Sequence, residues 1–344
     1  DDAYQWKGYI PFEELPRLYN PEKGYIATAN NPVEPKEYPH HITADYNYGH
    51  RARRIIEMIE SAERPISLEA VGRMQGDALN LPADELIPYV TGIAPQEVTF
   101  GDETVPPEAI EAVQLLLKEW DRRMSEDSAG AAVYALTFQG LLEELLHDEI
   151  PEEYWSRSRL LKNNSRIHAF VEKIIREPEN RWWDDVKSLK VVERRDDIVL
   201  RGLARGILEG TERLGSEIGS WRWSDLHTAT FRNQTFGESG IGVVEGIFNR
   251  GPVEVPSGLD QVFSVDYDLA DPFEAVNHAS MRQVIDLSEF GGSLLMHSTG
   301  QSGHPYHKHY DDFIDPWRRV RFHRHLWERQ RLEEATSDRL QLVP

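Results

Sequence analysis

Hydrophobic positions change their spacing three times along this chain. Over the first 50 residues they follow no helical period, and Pro at 11, 16, 21, 32, 35 and 39 divides the stretch into turns and short extended pieces. Within it, Tyr25-Ile26-Ala27-Thr28-Ala29 has the form of a short buried strand. From Arg51 the spacing becomes helical. Ile55, Ile56, Met58 and Ile59 form a first apolar face, and Ser67 stands where it would N-cap a second helix through Leu68 to Val71. Pro106-Pro107-Glu108 opens a helix running to about Met124, proline being tolerated in a first turn. Another helix is predicted from Ala129 to His147, where Ala132, Leu136, Phe138, Leu141, Leu142, Leu145 and Leu146 recur at three and four. Further helices are predicted over 167–175 and 198–215.

After Trp221-Arg222-Trp223 the texture turns to Gly, Pro and alternating β-branched residues. Gln261–Tyr267, Val284–Leu287 and Leu294–His297 read as strands. From Asp311 the chain is charged, Arg-rich and helically spaced, as expected of a segment lying over the outside. Strands, then helices, then strands again predict an α+β fold. The two chain ends would share one sheet, with the helices as a large excursion in the middle.

Composition narrows the function classes. No run of 18 or more apolar residues is present to cross a bilayer as a helix. A net charge of −21 disfavours nucleic acid, whose phosphates need clustered Lys and Arg. The basic stripe Arg318-Arg319-Val320-Arg321 with Arg324 has Asp311, Asp312 and Asp315 beside it. Nine Lys against 29 Arg, with 59 acidic residues dispersed along the chain, suit a high-salt solvent; an ordinary acidic protein from a GC-rich genome fits the same numbers. The absence of Cys removes disulfides, thiolate metal sites and Cys nucleophiles together.

Several local patterns suggest chemistry and carry a plainer reading beside it. His304, His307 and His309 with Asp311 and Asp312 have the look of a metal cluster, but Lys308 would repel a cation. Gly300-Gln301-Ser302-Gly303 lacks the form of a nucleophile elbow and reads as a tight turn, leaving Ser302 non-catalytic. Asp286 and the Asp184-Asp185 pair after Trp182-Trp183 could be carboxylates for glycoside hydrolysis, yet nothing fixes their spacing; strand-edge and helix-start acids are the simpler expectation.

Two longer blocks point elsewhere. Gly24-Tyr25-Ile26-Ala27-Thr28-Ala29-Asn30-Asn31 follows Trp6-Lys7-Gly8-Tyr9-Ile10-Pro11-Phe12 and Tyr19-Asn20-Pro21. Near the other end, Leu294-Leu295-Met296-His297-Ser298-Thr299-Gly300-Gln301-Ser302-Gly303-His304-Pro305 precedes His309-Tyr310-Asp311-Asp312. Weaker echoes at Gly49–Ile55, Leu226–Arg232 and Met281–Leu287 lie between them in the same order. With these blocks the chain resembles the penicillin acylase family of N-terminal nucleophile hydrolases, over effectively its whole length and as the C-terminal part of the β chain.

The resemblance implies part of a four-layer αββα core. It implies hydrolysis of the amide bond of N-acyl compounds by an N-terminal Ser whose own amine is the base, a nucleophile absent from a chain that begins Asp1-Asp2-Ala3. Asn30 matches the family's oxyanion-binding Asn, with Asn31 next if the register slips by one. Arg51 matches an Arg near the nucleophile's amine, with Arg53 second, because the spacing around Tyr38–Asp45 departs from the family's. No organic cofactor is implied. A structural Ca²⁺ belongs to several complete members, and Asp45 is the nearby carboxylate here that could contribute.

The partners implied are the remaining segments of the same enzyme, namely an α chain and the first part of the β chain, and a small N-acyl substrate. Neither nucleic acid nor membrane is expected. Members are often extracytoplasmic, and this chain carries no export signal of its own. Taken alone the chain is expected to be inactive and prone to self-association. The alternative is a non-catalytic truncated or interaction module of the same family, and a His-cluster metalloprotein stands third.

Overall fold

Helix starts follow the capping chemistry of the sequence. In the computed structural model, which describes residues 5–6, 8–158, 161 and 164–343, Gly49 takes the left-handed φ of 113° that admits the chain to α1 (His50–Ser61). Ser67 accepts from the Ala70 N–H at 3.1 Å at the head of α2 (Leu68–Met74), as its position predicts. Asn80 does the same for Ala83 at the head of α3 (Leu81–Gly92), again at 3.1 Å. A hairpin of β1 (Val98–Phe100) and β2 (Glu103–Val105) leads into α4 (Pro107–Glu119). The helical run continues with α5 (Ala129–Leu146), α6 (Glu152–Trp155), α7 (Asn164–Ile174), α8 (Arg195–Leu214) and α9 (Trp223–Leu226).

The main core lies in this helical block. α5 is buried on nearly every face, which places it at the centre. It crosses α8 so closely that a Cβ at Gly140 would lie 2.3 Å from the Gly202 carbonyl oxygen, and one at Gly206 2.7 Å from the Leu136 backbone. Glu144, buried at the same crossing, is held by Arg201 and Arg205 of α8. The charge is therefore compensated where it is desolvated.

Beyond α9 the chain becomes a mixed sheet. β3 (Thr228–Phe231) precedes α10 (Gly242–Phe248), and β4 (Arg250–Glu254), β5 (Val265–Asp268) and β6 (Asp271–His278) follow. The strand order is β4-β3-β6-β5, with β3 and β6 parallel and the other pairs antiparallel. β7 (Met281–Val284) and β8 (Leu294–His297) form a second antiparallel sheet. After α11 (Ile314–Arg318), β9 (His323–Arg324) joins that sheet beside β8, and α12 (Arg329–Ala335) follows. A smaller core of Phe231, Val255, Phe263, Val265, Met296, Ile314 and Trp317 packs between these sheets and α11.

Mixed helices and sheets of this kind fit the predicted α+β class, and several expectations within it need correction. Tyr25–Thr28 has no regular secondary structure and Ala29 lies in a bend; the segment has no partner strand among the described residues and forms no ladder. Among the described residues the two chain ends therefore share no sheet. The described residues before α1 hold one short 3₁₀ turn, Phe12–Glu14. α4 stops at Glu119 rather than Met124, because Trp120 is extended and Arg122 adopts a left-handed φ of 67°. Strand β5 begins at Val265, four residues later than Gln261. β7 ends at Val284, where the expected strand began, since Asp286 folds back to accept from the Ser288 N–H at 2.8 Å. The tail from Asp311 is not one helix: β9 interrupts it.

Candidate functional site

The turn after Ala29 is built by local hydrogen bonds. The Ala29 N–H donates to Asn31 Oδ1 at 3.0 Å, and Asn31 Nδ2 donates to the Pro32 carbonyl at 2.9 Å. Asn31 thus spends its amide on the turn itself. Asn30 takes a left-handed φ of 63°, tolerated by Asn, and its carbonyl accepts from the Asn47 N–H at 2.9 Å. Its side chain is left to the cavity.

Arg51 reaches that side chain from the first turn of α1. Its Nη2 donates to Asn30 Oδ1 at 2.7 Å and to the Ala29 carbonyl at 3.4 Å. A guanidinium has no acceptor, so the contact fixes which way the carboxamide faces: oxygen towards Arg51, NH₂ away from it. Arg53, the alternative, lies on the outer face of α1 against Glu57 at 3.6 Å.

Asn30 and Arg51 line a cavity of about 530 Å³ together with Asn47, Ser165, Asp260, Ser264, Asp266, Tyr267, Asp268, Val276 and Asn277. The bulges of β5 against β6 fall between Asp266 and Tyr267 and between Tyr267 and Asp268. Val265 and Tyr267 remain buried, and the two acids line the cavity. Burial pushes the Asp266 carboxyl above the usual carboxylate range, against donation from Ser264 Oγ at 2.8 Å and from the Asp260 N–H at 3.3 Å.

Behind the cavity wall lies a buried polar cluster that local sequence patterns do not reveal. His50 Nδ1 contacts Asp260 Oδ2 at 2.8 Å, and His50 Nε2 faces Glu172 of α7 at 3.4 Å. Arg51 Nε lies 3.9 Å from Asp260 Oδ1, and His168 Nδ1 lies 3.9 Å from Asp260 Oδ2. Burial pushes the His168 imidazole down to about 4, so it is neutral at pH 7. A contact across 210 residues leaves no periodic trace; the available hint was His50 standing inside the Gly49–Ile55 block.

The remaining candidates fall outside the cavity. Asp45 is largely exposed and paired with Arg166, which does not suit a calcium ligand. Among the described residues no group of three or more His, Cys, Asp or Glu is placed to hold a metal ion. His309 Nδ1 binds Asp312 at 2.7 Å, and Ser302 Oγ accepts from the His304 N–H at 3.1 Å, so both serve the turn. That turn closes tightly, the Ser302 N–H donating to the His309 carbonyl at 2.9 Å. Asp184 and Asp185 follow a 3₁₀ turn (Arg181–Trp183) rather than opening a helix. They bind the Glu193 N–H at 3.3 Å and His147 at 3.3 Å.

A family model described as penicillin amidase matches residues 1–334. The chain belongs to the penicillin amidase family. Over its full length it is 28% identical to an acyl-homoserine lactone acylase, QuiP, of Pseudomonas syringae pv. syringae, covering 42% of that protein. It is 27% identical to the penicillin acylase 2 proenzyme of Pseudomonas sp. strain SE83, over 99% of this chain and 41% of the relative. Among solved structures, a thermostable penicillin G acylase from Alcaligenes faecalis superposes with a TM-score of 0.55 at 14% identity, over 99% of this chain and 60% of that one. That likeness is one of fold and fits the expected α+β class. The chain thus spans less than half the length of the curated penicillin amidase relatives it matches here.

Proposed function

We propose that this chain supplies the oxyanion-binding part of an amide-hydrolysing acylase acting on N-acyl compounds, as the C-terminal portion of its β chain. In this reading residues 1–50 carry the active-site segment, 51–220 a helical region, 221–310 strands of the core and 311–344 an outer C-terminal segment. The observation that carries it is the 2.7 Å bond from Arg51 to Asn30 Oδ1 on the cavity wall. That bond turns a neutral NH₂ donor away from Arg51, without a counter-charge of its own. Such a donor, fixed before the reaction, stabilises negative charge as it develops on a carbonyl oxygen.

The nucleophile would be an N-terminal Ser supplied by segments outside this chain. It would form an acyl-enzyme with release of the amine, and water would then release the acid. Asn30 would serve both tetrahedral intermediates. Arg51, besides orienting Asn30, places a positive charge that would keep a nearby α-amino group neutral and basic. In the assembled acylase, Asn30→Ala is expected to lower kcat by about 10²–10³-fold with little change in KM. Full retained activity in that variant would remove the proposal. The chain assayed alone should give no enzyme-like turnover.

A further inference from the structure

Resting on that reading of Asn30 and Arg51, we infer that Asp260 is a positioning residue for the oxyanion-binding pair, acting through the first two residues of α1. One carboxylate meets both of them. Its Oδ2 takes the His50 contact at 2.8 Å and its Oδ1 faces Arg51 Nε at 3.9 Å. A carboxylate oxygen accepts, so His50 Nδ1 is the donor. Both partners of that bond are buried. Water does not compete for it, and the head of α1 is tied in place.

The surrounding contacts leave the carboxylate little freedom. Asp260 sits at a left-handed φ of 64°, three residues after Ser257 at 73°, in a loop whose backbone is fixed on both sides. The Ser257 N–H donates to the Met124 carbonyl at 2.7 Å and the Phe263 N–H to Asp77 at 3.0 Å. The Asp260 N–H donates to Asp266. Two non-glycine residues held at positive φ within four positions, beside a cavity, mark a loop over-determined by its contacts. On the other side of His50, Glu172 faces Nε2, and Ser165 of α7 accepts from the Tyr48 N–H. The head of α1 is therefore gripped from the 260 loop and from α7. Arg51 projects from it to Asn30, so a shift of α1 is transmitted to the carboxamide through a single guanidinium.

The test uses two variants that approach the same bond from opposite sides, Asp260→Asn and His50→Gln. In ¹⁵N–¹H spectra of the chain, the Asn30 carboxamide and the Arg51 Nε–H report their mutual bond. Both variants are expected to move both signals in a common direction while the distant core resonances of α5 and α8 stay put. Unmoved Asn30 and Arg51 signals in either folded variant overturn the inference. In the assembled acylase each variant should lower kcat by about tenfold or more with KM within about twofold, and neither should add its full effect to that of Arg51→Ala. Effects that multiply independently with Arg51→Ala, or that only follow the thermal midpoint, would make Asp260 merely structural. If Asn30→Ala keeps full activity, the functional reading falls by itself. The spectra still decide whether Asp260 sets the orientation of the pair.

Discussion

At the scale of single residues, Arg51 acts through geometry as much as charge. Its Nη2 donates to both Asn30 Oδ1 and the Ala29 carbonyl while Nε, at the other side of the guanidinium, faces Asp260 at 3.9 Å, and the single nitrogen of a lysine cannot span the two ends. Arg51→Lys in the assembled acylase is therefore expected to lower kcat by about tenfold or more although the charge is kept, as steady-state kinetics would read. Asn30 and Arg51 were legible because each stands in a recognisable local block. His50, Asp260 and Glu172 were not: they acquire meaning only when segments more than 100 residues apart fold against one another. Two other buried histidines carry a pH signature. Burial pushes His168 and His227 down to about 4. The unfolded chain takes a proton on each below about 6.5 while the folded chain stays neutral until about 4, so stability falls as pH drops through that window. His227 Nδ1 donates to the Phe273 carbonyl at 2.7 Å, a bond glutamine can make. Denaturant unfolding at pH 6.5 and 4.5 should show His227→Gln losing less stability than the parent, by about 2–3 kcal/mol at most.

At the scale of elements, the α5 and α8 crossing is the most constrained contact. A Cβ added at Gly206 meets the Leu136 backbone, which no rotamer change can move aside. Gly206→Ala should destabilise the chain by about 1–3 kcal/mol even though alanine favours a helix interior by about 1 kcal/mol, as chemical unfolding would measure. α5 was readable almost to the residue because it runs long with apolar residues recurring at three and four. The end of α4 was not, since a left-handed Arg122 gives no compositional warning. Tyr25–Ala29 carried the pattern of a strand without, among the described residues, the neighbour that would make it one. Pattern reports a face suited to burial, whereas a ladder needs a second backbone.

At the scale of the whole molecule, apolar surface is unevenly distributed. Trp6, Tyr9, Phe12, Tyr19, Ile26 and Val33 are exposed ahead of α1, while β7 lies at the edge of its sheet with Met281 open to solvent. Exposed aromatic side chains and unpaired strand edges favour association. Sedimentation velocity on the isolated chain is expected to give concentration-dependent oligomers, and a clean monomer across the micromolar range would contradict this. The link from His50 to Asp260 also sets an order of events. Closing it brackets 210 residues, including the whole α5 and α8 crossing, and contacts of such long range form late. Pulse-labelling hydrogen exchange during refolding should then find α5 and α8 amides protected before those at the head of α1. The cavity would take shape last, making it a checkpoint on completed folding: a chain arrested anywhere in its middle would present Asn30 on an unanchored turn.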